Sequence, residues 1–204
     1  MSYVMPALLV VASLMGAGMI LPQVLRFRRN RSADGVSGAW VGVGVAINAW
    51  WVVYAVAESL WGLVPVSGVA FVLYCVIAFQ YAALAGRGSV RKIAVGVVAT
   101  GMAPLPFLLA GGWSAAGLCI GLVYAVQYSP ATITAVRAVD LSGISPVTWT
   151  MAFVEASIWF VYGLVETDVA LLVGGAGGAV LSGIVLVCLL RRLSPALRVA
   201  AEYP

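Results

Sequence analysis

Residues 4–25 read VMPALLVVASLMGAGMILPQVL, twenty-two positions without a charged side chain, and Arg26 follows directly. An apolar stretch of about 20 residues is long enough for a helix to cross the hydrocarbon core of a bilayer. No Lys or Arg precedes Arg26, so the stretch lacks the basic beginning of a cleaved signal peptide. We therefore expect it to be the first membrane-spanning helix.

The composition of the whole chain agrees with a membrane protein. Of its 204 residues, 63% are hydrophobic and 9% are charged, and the mean hydropathy is +1.08. Soluble chains carry about 25% charged residues, so this chain lacks the polar side chains that would cover a globular surface in water. Histidine is absent, which excludes Ser-His-Asp triads, Cys-His dyads and most zinc sites. We therefore expect neither an enzyme nor a bound metal.

Gly, Pro, Ser or charged residues interrupt the apolar sequence at intervals of about 20 residues, the length of one membrane crossing. They predict an all-α integral membrane protein. Its seven expected spans are residues 4–25, 38–57, 63–85, 93–110, 113–136, 146–163 and 169–190.

The basic residues predict the orientation of these spans. All 11 Lys and Arg residues fall after the first, third, fifth and seventh spans, whereas the alternate loops carry only Glu58, Glu166 and Asp168. Because cytoplasmic loops retain Lys and Arg, we expect the N-terminus outside and the C-terminus in the cytoplasm. The net charge of +4 then reflects topology, and nucleic acid is not an expected partner.

The chain also repeats itself at an offset of 108 residues. The pairs of less common residues are Pro22/Pro130, Gly35/Gly143, Ser37/Ser145, Trp51/Trp159, Tyr54/Tyr162 and Glu58/Glu166. Each copy covers three spans, and the single span between them gives both copies the same orientation. We expect a 3+1+3 arrangement: a first three-helix unit at 1–90, a linker helix at 91–112, a second unit at 113–192 and a cytoplasmic tail at 193–204.

A motif within each copy resembles a known family. The motif comprises Leu21-Pro22-Gln23-Val24-Leu25-Arg26, Ser32, Gly35-Val36-Ser37 and Trp51-x-x-Tyr54, and it recurs as Pro130, Leu141-Ser142-Gly143-Ile144-Ser145 and Trp159-x-x-Tyr162-Gly163. It resembles the PQ-loop superfamily, and within it the SemiSWEET and SWEET transporters, over nearly the whole chain. Membership implies facilitated passage of mono- or disaccharides by alternating access, without a cofactor.

Pro22 and Pro130 are candidate hinges. A proline inside a helix removes a backbone hydrogen bond, which produces either a static kink or a hinge. Gln23 completes the PQ signature, but its counterpart is Ala131, so only one copy keeps the motif. We expect the copy with Pro22 to be the more mobile.

Trp51 and Trp159 match the tryptophan with which the family stacks against a sugar ring. An indole offers a flat apolar face and an N–H donor, which suits such a ring. The alternative is the aromatic belt at the membrane interface. The tryptophans without a repeat partner are assigned to that belt or to packing: Trp40, Trp50, Trp61, Trp113 and Trp149.

The family's second signature is an asparagine sixteen positions after the tryptophan that hydrogen-bonds sugar hydroxyls. Ser67 and Gly175 stand at these positions. The departure leaves open which sugar is carried, and whether the substrate is a sugar. Gly175 belongs to the run Gly174–Gly178, for which close helix packing is the favoured interpretation.

Other polar residues are expected on the same faces as the tryptophans. Asn48 precedes Trp51 by three residues and Glu155 precedes Trp159 by four, so each pair shares a helix face. A carboxylate inside a span is costly and usually functional. Glu155 is therefore a candidate site for a proton, a cationic group or a pair of sugar hydroxyls, or else a protonated structural residue. Gln127 is a further candidate contact.

These features favour a facilitative sugar transporter in a bacterial plasma membrane. The first alternative is a proton-coupled PQ-loop carrier of an amino acid or another small metabolite, and the second is a non-transporting receptor of the same fold. Expected partners are a small-molecule substrate, the lipid bilayer and, as an option left open, further copies of the chain.

Overall fold

The computed structural model describes residues 3–33, 36–137, 141 and 144–202, without the side chains of Arg26, Asn30 and residues 192–202. These residues form eight helices and no strand. The helices are α1 (Val4–Asn30), α2 (Gly38–Ala57), α3 (Val64–Leu84), α4 (Ser89–Met102), α5 (Leu105–Val126), α6 (Ser129–Arg137), α7 (Pro146–Glu166) and α8 (Val169–Glu202). Six segments are long and apolar enough to cross a membrane, with residues 105–137 taken as one. The all-α class is confirmed, and the helices are those of a multi-pass membrane protein.

The predicted fourth and fifth spans are divided differently from the expected pattern. The span at 93–110 is interrupted at Ala103 and Pro104, and α4 alone has 14 residues. The span at 113–136 is interrupted at Gln127 and Tyr128, two residues before Pro130. Proline cannot donate a backbone hydrogen bond, so each interruption falls where the helical ladder is already weakened.

Within α5 the backbone leaves the helical conformation at Gly111 and Gly112. Gly112 has φ +67°, in the left-handed region that glycine adopts without a steric cost. This kink lies at the predicted boundary between the fourth and fifth spans.

The repeated serines begin equivalent helices. Ser37 precedes α2, and its hydroxyl accepts a hydrogen bond from the backbone N–H of Trp40 at 3.3 Å. Ser145 precedes α7 and accepts one from Thr148 at the same distance. A serine at this position satisfies one of the free N–H groups at the start of a helix. The repeated motif therefore has a local structural role in both copies.

The two copies pack their helices in the same order. Across the described residues, α3 packs against both α1 and α2, and α8 packs against α5, α6 and α7. The third helix of each copy therefore lies between the other two. Helix α1 contacts α7, and α2 contacts α5, across the interface between the copies. These two contacts are equivalent, because the repeat offset relates α1 to α5 and α2 to α7.

Helix α4 packs mainly on α2, through glycines. A Cβ added at Gly42 would overlap the carbonyl oxygen of Ile93, and one added at Gly96 would overlap that of Ala39. Small residues allow such backbone contact between membrane helices. Residues 89–102 are thus attached to the first copy.

The apolar cores distinguish the two ends of the molecule. We call the end with the α2–α3 and α7–α8 turns, which carries Glu58, Glu166 and Asp168, the acidic end. We call the end at which α1 and α6 finish, with Arg28, Arg29 and Arg137, the basic end.

At the acidic end a single core joins both copies, with Tyr54 and Leu63 from one and Tyr162 and Leu171 from the other. At the basic end each copy has its own core. One contains Val24, Phe27, Val41, Ile77 and Tyr81, and the other Ala135, Leu141, Val185 and Leu189. The copies are therefore packed together at the acidic end and have separate cores at the basic end.

Candidate functional site

A cavity of about 340 Å³ lies between the two copies. This volume is at the lower end of the range of about 300–1,000 Å³ typical of ligand pockets, so it fits a small solute. The predicted site residues that line it are Gln23, Asn48, Trp51, Ser67, Gln127, Glu155, Trp159 and Gly175. Pro22 and Pro130 do not line it.

The repeat accounts for much of the cavity wall. Nine pairs of lining residues are separated by 108 positions: Gly16/Tyr124, Met19/Gln127, Ile20/Tyr128, Gln23/Ala131, Ile47/Glu155, Trp51/Trp159, Leu63/Leu171, Val66/Gly174 and Ser67/Gly175. Equivalent positions of the two copies therefore surround one space. The chemistry of the paired positions differs. Tyr124, Gln127, Tyr128 and Glu155 of the second copy correspond to Gly16, Met19, Ile20 and Ile47, whereas Gln23 and Ser67 of the first copy correspond to Ala131 and Gly175.

The two tryptophans are buried, each with 6% of its surface exposed, and both face the cavity rather than lipid. Trp51 makes edge-to-face contacts with Tyr54 and Tyr124, with ring centres 6.0 Å apart in both cases. Trp159 Nε1 donates a hydrogen bond to Glu155 Oε1 at 3.3 Å. Trp51 Nε1 is buried and has no partner among the described residues.

Glu155 is buried against α1. A Cβ added at Gly16 would lie 2.7 Å from Glu155 Oε1, so the absence of a side chain at Gly16 makes room for the carboxyl group. The indole of Trp159 is the one hydrogen-bond partner of the carboxyl group found in the described part of the chain. Of the described lining residues, Glu155 alone carries a formal charge.

Several aromatic residues of the cavity were missed by sequence reasoning. Tyr124 and Tyr128 form a hydrogen bond through their hydroxyls at 3.0 Å, and Tyr128 packs edge-on against Trp149. Tyr74 packs against Trp40 with ring centres 5.6 Å apart. One signal was available: Tyr124, Gln127 and Tyr128 have the spacing of one helix face.

Trp40 and Trp149 line the cavity as well. Both were assigned to the interfacial belt or to packing, because neither has a partner at the repeat offset. Packing agrees with the structure, since Trp40 contacts Tyr74 and Trp149 contacts Tyr128, and cavity lining is an additional role. Both residues are at the starts of helices, α2 and α7, that frame the cavity toward the basic end.

Gly175 combines cavity lining with close packing. A Cβ there would lie 2.7 Å from the Cα of Phe160 and 2.9 Å from the carbonyl oxygen of Ala156, both in α7. These distances leave no room for a side chain. An asparagine at Gly175 therefore cannot be accommodated with this helix packing. Asn48, by contrast, uses its amide donor within its own helix, to Gly44 O at 2.8 Å.

Hydrogen bonds cross between the copies at the acidic end. Tyr54 Oη donates to Asp168 Oδ2 at 2.5 Å, and Asp168 Oδ1 accepts from the backbone N–H of Leu171 at 2.8 Å. The equivalent Tyr162 places its hydroxyl beside the backbone of Gly62, in the other copy. Asp168 was considered only as a marker of topology, although the repeated tyrosines pointed to this region.

The predicted hinges differ in their backbone. Helix α1 continues through Pro22, whereas Pro130 is the second residue of α6 and follows the interruption at Gln127 and Tyr128. The interruption therefore lies in the copy without the PQ signature. Three residues of the repeated motif, Gly35, Ser142 and Gly143, lie outside the described residues.

No protein-family model matches the chain, and no curated protein matches it significantly.

The cavity itself therefore carries the functional argument. As far as the described residues go, it has an aromatic wall, one carboxyl group, and N–H donors without partners at Trp51 Nε1 and Gln23 Nε2. It has no paired carboxyl group and no activated nucleophile among the described lining residues. Such a site is suited to binding a small solute.

Proposed function

We propose that the chain is a membrane transporter that moves a small polar solute, with a mono- or disaccharide as the first expected substrate, by alternating access and facilitative uniport. One observation carries the proposal. The cavity between the copies is lined by repeat-related pairs, and the copies share a core at one end while keeping separate cores at the other. A translocation path at the interface of two repeats is a recurring feature of transporters.

We propose membership of the PQ-loop superfamily with the 3+1+3 arrangement. The motif residues support it, as does the equivalent packing order of the two copies. Attachment of residues 89–102 to α2 is consistent with a linker helix that accompanies the first unit. The distribution of Lys and Arg supports a cytoplasmic basic end, and the proposed location is a bacterial plasma membrane.

In this proposal the described conformation faces the cytoplasm. The shared core and the bond between Tyr54 and Asp168 close the acidic end. During transport the copies separate at the acidic end and come together at the basic end, so that a solute between Trp51 and Trp159 gains access to the other side. The rings then serve as a binding platform in both states.

The second candidate is a proton-coupled carrier of a small metabolite, which Glu155 favours because a carboxyl group facing an alternating cavity could carry a proton across. A receptor of the same fold would bind its ligand without moving it. An intramembrane enzyme has the least support, since Glu155 has no catalytic partner.

The test is uptake of a radiolabelled panel of sugars, amino acids and amines into proteoliposomes at two external pH values. Uniport predicts equilibration that is independent of a pH gradient, whereas proton coupling predicts accumulation when the outside is acidified. Binding without flux would indicate a receptor. The absence of both binding and flux for every solute in the panel would overturn the transport proposal.

A second experiment blocks the cavity by alkylating a single cysteine in its wall, and the protein without cysteines is the matched control. Cys75, Cys119 and Cys188 are first replaced by Ser, and Ser67→Cys is then introduced, because Ser67 lines the cavity. Flux through this protein should be lost on alkylation of the new thiol, and the parent without cysteines should be insensitive. Flux that survives full alkylation would argue against this cavity as the path.

A further inference from the structure

We propose that the transported solute carries a protonated amine on a compact, partly apolar body, with Glu155 as its counter-ion and the surrounding aromatic rings as its walls. This inference rests on the proposed transport function and specifies the substrate class of the same cavity.

The charge of the cavity is the first argument. Glu155 is the one charged residue among the described residues that line it, and no Lys or Arg is among them. Glu155 is 6% exposed, and its carboxyl group has one hydrogen-bond partner in the part of the chain that the structure describes, the indole of Trp159. A buried carboxylate without a counter-ion is strongly unfavourable. An ammonium group would supply both the missing charge and further hydrogen bonds.

The aromatic wall is the second argument. Seven lining residues are aromatic: Trp40, Trp51, Tyr74, Tyr124, Tyr128, Trp149 and Trp159. Among them, Tyr74, Tyr124 and Tyr128 line the same cavity as Glu155. Aromatic faces attract cations as well as apolar C–H surfaces. Carboxyl group and rings together therefore suit a cation with an apolar face.

The unpartnered donors are the third argument, because they limit what else the solute carries. Trp51 Nε1 and Gln23 Nε2 are buried without partners among the described residues. Neutral hydroxyl or ether oxygens would satisfy them. A free carboxylate would have no cationic partner in the described cavity wall, so a zwitterionic amino acid is disfavoured relative to an amino sugar or amino alcohol.

The experiment uses the full chain in proteoliposomes and three related probes: glucosamine, glucose and N-acetylglucosamine. They share a hexose ring, but only glucosamine carries an ammonium group, in buffer acidic enough to keep it protonated. We expect the KM for glucosamine to be at least about tenfold below that for either neutral sugar, as a charge-assisted hydrogen bond would produce. This comparison uses the wild-type chain and does not depend on the folding of any variant.

Glu155→Gln tests whether the carboxyl group of Glu155 causes the preference for glucosamine over glucose. The variant keeps the hydrogen-bonding shape but removes the charge, so we expect the ratio of the KM for glucose to the KM for glucosamine to fall by about tenfold. Glu58→Gln is the matched control, because it removes an exposed carboxylate outside the cavity and should leave both KM values unchanged.

The outcomes separate the inference from the transport function. Equal KM values for glucosamine and glucose in the wild type would overturn the amine assignment and leave transport intact. Transport of a different, neutral panel member with no binding of glucosamine would have the same meaning. Failure of every solute in the panel to bind or cross would instead overturn the transport function itself.

Discussion

Trp51 and Trp159 occupy equivalent positions, but their indole N–H groups have different surroundings. The N–H of Trp159 donates to Glu155, four residues earlier in the same helix. The residue four before Trp51 is Ile47, which offers no acceptor, and the N–H of Trp51 is therefore left unpartnered among the described residues. A buried donor without a partner is unfavourable, so a solute that accepts a hydrogen bond there gains affinity.

Trp51→Phe tests this difference. Phenylalanine keeps an aromatic face but loses the donor, so we expect the KM of the transported solute to rise about fivefold, the value of one ordinary hydrogen bond, with little change in detergent stability. The readouts are concentration-dependent uptake and the melting temperature.

Trp50→Phe is the control for this substitution. The N–H of Trp50 donates to Gly101 O at 3.0 Å and Trp50 does not line the cavity, so its loss should lower the melting temperature and leave KM unchanged. An unchanged KM in Trp51→Phe would show that the indole N–H does not bind the solute.

Which cavity residues the sequence could predict depended on the repeat. Trp51 and Trp159 were placed together because both copies keep the residue, and Glu155 because a carboxylate inside a span is rare. Tyr74, Tyr124 and Tyr128 were missed, since their counterparts are Ser182, Gly16 and Ile20 and no aromatic residue recurs. Neither composition nor periodicity indicates which face of a fully apolar helix meets a cavity.

Helices α7 and α8 approach each other closely at Gly175. Replacement by alanine would force its Cβ against the backbone of Phe160 and Ala156. We expect Gly175→Ala to lower stability by about 1–3 kcal/mol, the usual cost of overpacking, measured as a fall in melting temperature in detergent.

Gly68→Ala in α3 is the matched control, since a Cβ added at Gly68 would meet no other atom within 4 Å and alanine favours a helix. It should be neutral or slightly stabilising. Equal destabilisation by the two substitutions would contradict a packing role specific to Gly175.

The two prolines differ in the continuity of the helix around them. If the copy with the PQ signature is the mobile one, Pro22→Ala should reduce flux more than it changes the melting temperature, because a continuous backbone ladder stiffens α1. Pro130→Ala should have the milder effect on flux. Equal losses of flux would contradict this asymmetry, and unchanged flux in Pro22→Ala would leave Pro22 as a static kink.

At the scale of elements, the sequence predicted where the helices lie but not where they are interrupted. Long apolar stretches predicted where the six candidate spans among the described residues lie, but the expected span at 93–110 is not one of them. Ser37 and Ser145 mark the starts of α2 and α7. The interruptions at Ala103–Pro104 and at Gln127–Tyr128 were not predicted, because membrane helices often continue through proline, as α1 does at Pro22.

At the scale of the molecule, the shared core at the acidic end predicts one-sided access. In the protein with Ser67→Cys and without its native cysteines, a membrane-impermeant thiol reagent should label from the basic end and not from the acidic end. Intact cells and inverted vesicles distinguish the two sides and test the predicted orientation in the same experiment. Equal labelling from both sides would contradict a closed acidic end.

Tyr54→Phe in that background removes the hydrogen bond to Asp168 across the acidic end. Because a hydrogen bond to a charged group contributes about 1.5–3 kcal/mol, we expect labelling from the acidic end to become at least about tenfold faster. The matched variant is Tyr124→Phe. It removes the hydrogen bond between the Tyr124 and Tyr128 hydroxyls, which lies within the second copy, and should leave the side from which the thiol is labelled unaltered.

One covalent chain allows the paired positions around the cavity to diverge. An assembly of two identical three-helix subunits would present either two carboxyl groups or none at the positions of Ile47 and Glu155, and two would repel each other across a small space. Duplication within a single gene removes that restriction, because each copy mutates independently. The described residues around the cavity thus include a single acidic side chain, a number that a symmetric homodimer cannot reach.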